Sequence, residues 1–221
     1  MTAAITLRRV WVATSVFLAG CAAGPRPVSW QLESKGAMER AVAAYLEGNS
    51  RVEAAELARA RLEISSTGRV DLMARAELLS CAGRVASLVF EPCAGFEKLR
   101  QDAPPTERAY ADYLASRLLK QDINLLPKDQ QINAQAVVLR AQPTIQNIAD
   151  PLARLVAAGT MFQAGLASPA LVQTAVDAAS SQGWRRPLLA WLGVQLKLAE
   201  ASGSAQEAER VQRRIALTFK P

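Results

Sequence analysis

The sequence predicts an all-α protein built from antiparallel helix pairs, arranged either as a repeat solenoid or as an irregular bundle. Three observations predict it. Beyond Gln31 the composition turns to Ala, Leu, Arg, Glu and Gln, all good helix formers. Alternating apolar strands joined by Asn-Gly or Asp-Gly turns do not occur. Glycines, prolines and capping residues recur at short intervals, so the helices and the turns between them are short and neighbours pack antiparallel.

The elements follow in chain order. Residues 21–33 contain Gly24, Pro25 and Pro27 and predict a short extended tether. A first helix is expected over about 35–47, stopped by Gly48-Asn49. Ser50 with Glu53 forms a capping box for the second. On that helix Val52, Ala55, Ala58/Arg59 and Leu62 share a face at helical spacing. Gly68 ends the pair. A third helix starts near Val70 and runs through Leu72 and Leu79 towards Phe90. Pro92 opens a fourth, closed by Pro104-Pro105, and Thr106 caps a fifth carrying Tyr110, Tyr113, Leu114 and Leu118. A turn over Asn124–Pro127 leads to a sixth helix, about 128–141, stopped by Pro143. Asp150-Pro151 and Ser168-Pro169 each place a cap before proline at the first helical position. Gly183 closes the helix from 169. A long helix over about 185–201 carries Leu188, Trp191, Leu192 and Leu196, and Ser204 with Glu207 caps the last, to about Phe219.

The N-terminus carries a different signal. Arg8 and Arg9 precede an apolar run from Val10 to Leu18, and no acidic residue appears before Glu33. The run is too short to span a bilayer, which needs about 20 apolar residues, but it suits the core of a signal peptide. Leu18-Ala19-Gly20-Cys21 follows. This arrangement resembles a bacterial lipoprotein signal; an ordinary signal peptide or an uncleaved anchor with a chance cysteine is the plainer alternative, and nothing around Arg8-Arg9 supports a twin-arginine export signal. The resemblance implies cleavage before Cys21, lipid on its thiol and amine, and a membrane anchor. Several acyl chains hold far more firmly than one. Ala22, rather than Asp, then points to the outer membrane, facing the periplasm.

The mature chain would start at Cys21. Losing Arg8 and Arg9 leaves 24 basic against 20 acidic residues, a net charge of about +4. An exported protein does not meet the genome, so no nucleic-acid partner is expected. If lipid takes Cys21, Cys81 and Cys93 remain, and an oxidising compartment favours their disulfide over two buried thiols or a redox pair. Such a bridge would contribute about 3 kcal/mol by loop-closure entropy.

Two stretches resemble the tetratricopeptide repeat. One is Ala44-Tyr45-Leu46-Glu47-Gly48-Asn49 followed by Ala54, Ala55, Leu57 and Ala58. The other is Ala199-Glu200-Ala201-Ser202-Gly203 followed by Ala208, Val211 and Ile215. The middle of the chain carries no 34-residue period. The resemblance implies close-packed helix pairs presenting a concave surface to a protein or peptide.

The sequence excludes much chemistry. There is no histidine, hence no Ser-His-Asp or Cys-His catalysis and no histidine-bound zinc from this chain alone. Phosphate-loop, dinucleotide and nucleophile-elbow motifs are missing. No cofactor and no metal are expected. A carboxylate pair for glycoside-type hydrolysis is the catalytic option left open, but Glu53 and Glu56 read as exposed positions among Arg51, Arg59 and Arg61. Trp184-Arg185-Arg186-Pro187 is the most conspicuous polar cluster. It either grips an anionic group through bidentate arginines or simply starts a helix with Trp184 in the core. The stretch from Gln130 to Gln182 has only Asp150 and Asp177 as acidic residues, so it is either the most buried part of the fold or an exposed apolar groove. The expectation is a non-enzymatic, lipid-anchored envelope scaffold for a protein or peptide; a carboxylate hydrolase and a small-molecule or lipid carrier are the alternatives.

Overall fold

The computed structural model describes residues 29–141 and 145–219. Among the described residues there are ten α-helices, one 3₁₀ segment and no strand. The helices are α1 Ser29–Glu47, α2 Ser50–Ser65, α3 Val70–Ala86, α4 Ala94–Glu97, α5 Pro105–Leu114, α6 Lys128–Leu139, α7 Pro151–Gln163, α8 Pro169–Ser181, α9 Arg185–Ala201 and α10 Ala205–Phe219. The 3₁₀ segment, Lys120–Leu125, precedes α6.

Local chemistry sets most boundaries as expected. Asp150 accepts a hydrogen bond from the Ala153 amide at 2.6 Å, and Ser168 Oγ accepts one from the Leu171 amide at 3.2 Å. Each satisfies an orphan donor of a helix start and stands before proline at the first helical position. Gly183 closes the chain after α8 with φ +67°, a conformation that costs glycine little.

Several expectations are corrected. The cap of α2 is Asn49, whose side chain accepts from the Val52 amide; Ser50 is the first helical residue. Glu53 does not reach back to the cap but pairs with Arg84 across the fold. The buried face of α2 is Glu53, Leu57, Ala60 and Ile64, not the face of Val52 and Leu62, which are 39% and 69% exposed. Both faces carry apolar residues, and the buried one tolerates a carboxylate because a guanidinium neutralises it. Helix α1 begins at Ser29, so the last part of the expected tether is helical. Helix α3 stops at Ala86 rather than near Phe90, because Leu88 adopts a left-handed φ of 59° and turns the chain back. The expected fourth helix is one turn, anchored by Phe96, which is fully buried. Thr106 caps nothing; its hydroxyl donates to the Glu107 carboxylate. The first half of the expected turn over Asn124–Pro127 lies within the 3₁₀ segment, and α6 ends at Leu139 with Arg140 left-handed.

Two apolar cores form. A small one joins α1, α2 and α3 through Met38, Ala41, Leu57, Ala60, Ile64 and Ala76. The main one gathers α3, α5, α7, α8 and α9 around Phe96, Tyr113, Met161, Trp191 and Leu192. Seven consecutive residues of α7, Leu155–Met161, are buried, so the acid-poor stretch is core and not an exposed groove there. The fold is the irregular bundle rather than the solenoid. Repeats of a solenoid touch only their neighbours, whereas here α1 packs on α9 and α3 on α7. The tetratricopeptide-like stretches form the hairpins α1–α2 and α9–α10 at the two ends of the chain, and the first hairpin folds back onto α9.

Candidate binding cleft

A cleft of about 540 Å³ opens beside the Cys81–Cys93 disulfide, between α2, α3, α5 and the segment before α4. The two cysteines are bonded, with their Cα atoms 5.9 Å apart. The bridge holds the chain from Phe90 to Gly95 against α3, where helix propensity alone would not keep it. Leu57, Val85 and Leu114 supply apolar surface and Phe90 an aromatic wall. Arg61, Arg84, Arg117, Glu77 and Glu97 supply charge.

Each of these five charges is held by a partner, and Glu91 is exposed on the wall. Glu77, buried at 6% exposure, accepts two hydrogen bonds from Arg61, at 2.6 and 2.8 Å. Gly95 makes room for this pair: a Cβ there would stand 1.9 Å from Glu77 Oε2. Arg84 donates to Glu53 at 2.9 Å and to Ser80 Oγ at 2.9 Å. Arg100 donates to Glu97 at 2.6 Å and approaches Asp112 at 3.2 Å, and Arg117 bonds Asp112 at 2.9 Å. The hydrogen bond from Arg100 holds the Glu97 carboxyl below its ordinary range. A general acid needs the opposite shift. Ser80 is flanked by a cation, which does not take a proton from a hydroxyl. The cleft has mixed apolar and charged walls.

The main core also holds a buried polar network. Tyr113 donates to Gln130, and Asn133 donates to Tyr113 at 2.8 Å and to Thr160 at 3.1 Å. Burial pushes the Tyr113 hydroxyl up to about 12. The network fixes α5, α6 and α7 against one another.

The residues singled out from sequence fall as follows. Cys81 and Cys93 meet at the cleft wall. Cys21 and the run before it lie outside the described residues. Trp184 packs partly buried against the main core at the start of α9, and Arg185 is exposed. Arg186 is engaged within the fold. Its guanidinium lies 4.2 Å from the Tyr45 ring centroid and donates to Ser50 Oγ at 2.9 Å. Glu53 is likewise buried and paired rather than a solvated helix position, and Glu56 bonds Arg40 at 2.8 Å. Arg61 and Glu77 were invisible in the sequence because they meet across two helices. The nearest sequence signal is Gly95, a residue without a side chain beside Cys93.

Among the described residues no group of three or more Cys, Asp or Glu is placed to hold a metal ion, and no helix is long and apolar enough to cross a membrane. No protein-family model, curated protein or solved structure matches this chain.

Proposed function

We propose that this chain is a lipid-anchored envelope protein whose helical domain binds a peptide or protein segment without catalysing a reaction. The ordered signal ending in Cys21 supports the anchor and the compartment, with Ala22 favouring the outer membrane. The open cleft beside the disulfide supports the binding role. Its apolar floor and paired charges suit an extended segment of mixed chemistry, and the disulfide holds the wall in place before binding. A carrier would need an enclosed apolar cavity. One narrow recess, between Tyr45, Glu53 and Gly83, measures about 10 Å³, room for one water at most.

A photoreactive amino acid at Glu91, exposed on the cleft wall, tests the binding role in intact envelopes. The same residue at Arg213, exposed on α10, is the control. A discrete protein adduct from position 91 that is missing from position 213 is the expected result. Identical adducts from both positions, or none from position 91, would contradict it.

A further inference from the structure

We infer that the end of the bundle where α1 begins rests on the lipid surface that carries the chain's own anchor. This inference rests on the lipoprotein reading above. Two open apolar recesses meet there. One, about 450 Å³, is lined by Trp30, Met38, Ile64, Leu72 and Leu79. The other, about 490 Å³, continues past Leu79 to Leu78, Tyr110, Leu125 and Leu126. Arg75 and Leu79 line both, so they form one groove. At the same end Leu32 is 57% and Leu62 is 69% exposed. Leu32 adjoins Glu33, which bonds Arg59 at 2.6 Å, and Leu62 lies one turn further along α2.

The chain's length selects the occupant. Cys21 and Ser29 are separated by eight residue steps, and a fully extended chain spans at most about 3.3–3.6 Å per residue, so the reach is roughly 26–29 Å. That is about the length of α1, at 1.5 Å per residue. The α1 end is therefore held beside lipid at all times. Tethering gives a high effective concentration, so a modest apolar patch suffices to dock. Tryptophan near the start of α1 suits the boundary between headgroups and acyl chains. Charge is not the driving force, because the rim cations are occupied. Arg69 bonds Asp71 and Arg75 bonds Glu107, each at 2.6 Å, and Lys35 lies 3.8 Å from Glu39. Docking should therefore survive high salt, unlike attraction of free lysines and arginines to anionic lipid.

The test uses the protein purified as its cell makes it, in vesicles of phosphatidylethanolamine and phosphatidylglycerol with brominated acyl chains. Mass spectrometry of the N-terminal peptide reads acylation of Cys21, and tryptophan quenching reads docking. The difference between the parent and Trp30→Phe isolates Trp30, and the signal left in Trp30→Phe with Trp184→Phe is that of buried Trp191. The expected result is acylated Cys21 and strong quenching of Trp30, unchanged by high salt. Leu32→Glu with Leu62→Glu, both on the surface, should lower that quenching towards the level of buried Trp191 while the protein stays on the vesicles. Acylated Cys21 with Trp30 quenched no more than Trp191 would overturn the docking and leave the anchor standing. Quenching abolished by high salt would overturn the apolar mode. Unacylated Cys21 would overturn the lipoprotein reading, and the docking with it.

Discussion

Tyr45 lies between two guanidinium groups. Arg186 of α9 is 4.2 Å from its ring centroid and Arg84 of α3 is 4.9 Å. Arg84 also binds Glu53 of α2, so one aromatic ring on α1 links four helices. The charge at the start of α9, an oddity against the helix dipole, is explained by this contact. Arg186→Ala should lower stability by about 1–2 kcal/mol, the range for a partly desolvated cation–π pair, read as a shift in the urea midpoint. Arg186→Lys should recover part of it. An unchanged midpoint for Arg186→Ala would remove the contact from the account. Glu107 makes a second residue-scale case. Burial raises its pKa, but hydrogen bonds from Thr106 and Arg75 outweigh burial and leave it below the ordinary carboxyl range. A depressed folded-state pKa gives stability that is present above the unfolded value, about 4.3, and lost as pH falls through the folded value. The parent should therefore lose more stability than Glu107→Gln as pH drops below about 4.3. Equal acid limbs in the two proteins would show that Glu107 does not contribute.

Helix α7 meets α3 so closely at Gly159 that an added Cβ would stand 2.4 Å from the Val85 carbonyl oxygen. A backbone atom cannot rotate away. Gly159→Ala gains about 1 kcal/mol of helix propensity but should lose more through overpacking, for a net loss of about 1–2 kcal/mol. Gly193 on α9 is the internal control, since a Cβ there meets nothing within 4 Å. Gly193→Ala should stabilise by up to about 1 kcal/mol. Thermal or urea unfolding of the two variants checks the pair, and the same sign for both would contradict the packing described. Some glycine and cap signals that act within one turn were legible in the sequence, although those at Ser50 and Thr106 misled. Asp150, Ser168 and Gly183 each stand where local hydrogen bonding or a left-handed φ requires them. The buried face of α2 was not legible, because Glu53 reads as a surface residue until Arg84, 31 positions away, is brought beside it. The same holds for the cleft. Its Arg61–Glu77 pair and the room left by Gly95 exist only after α2, α3 and the disulfide-held segment come together.

At the scale of the molecule, composition and punctuation were enough for the all-α class, since short capped helices without strand patterns leave few other arrangements. The choice between stack and bundle depends on contacts such as Trp191 Nε1 donating to the Ala86 carbonyl at 3.0 Å, which join residues 105 positions apart. No local signal encodes those. The hairpins α1–α2 and α9–α10 are present, yet the chain folds back so that α1 touches α9, and a continuous concave surface gives way to a discrete cleft. The central claim is that this bundle works outside the cytoplasm on a lipid tether at Cys21. Metabolic labelling with a fatty-acid analogue, comparing the parent with Cys21→Ser, tests it most directly. The account predicts label on the parent and none on the variant, which should also keep its N-terminal signal. Equal label on both, or none on the parent, would contradict it.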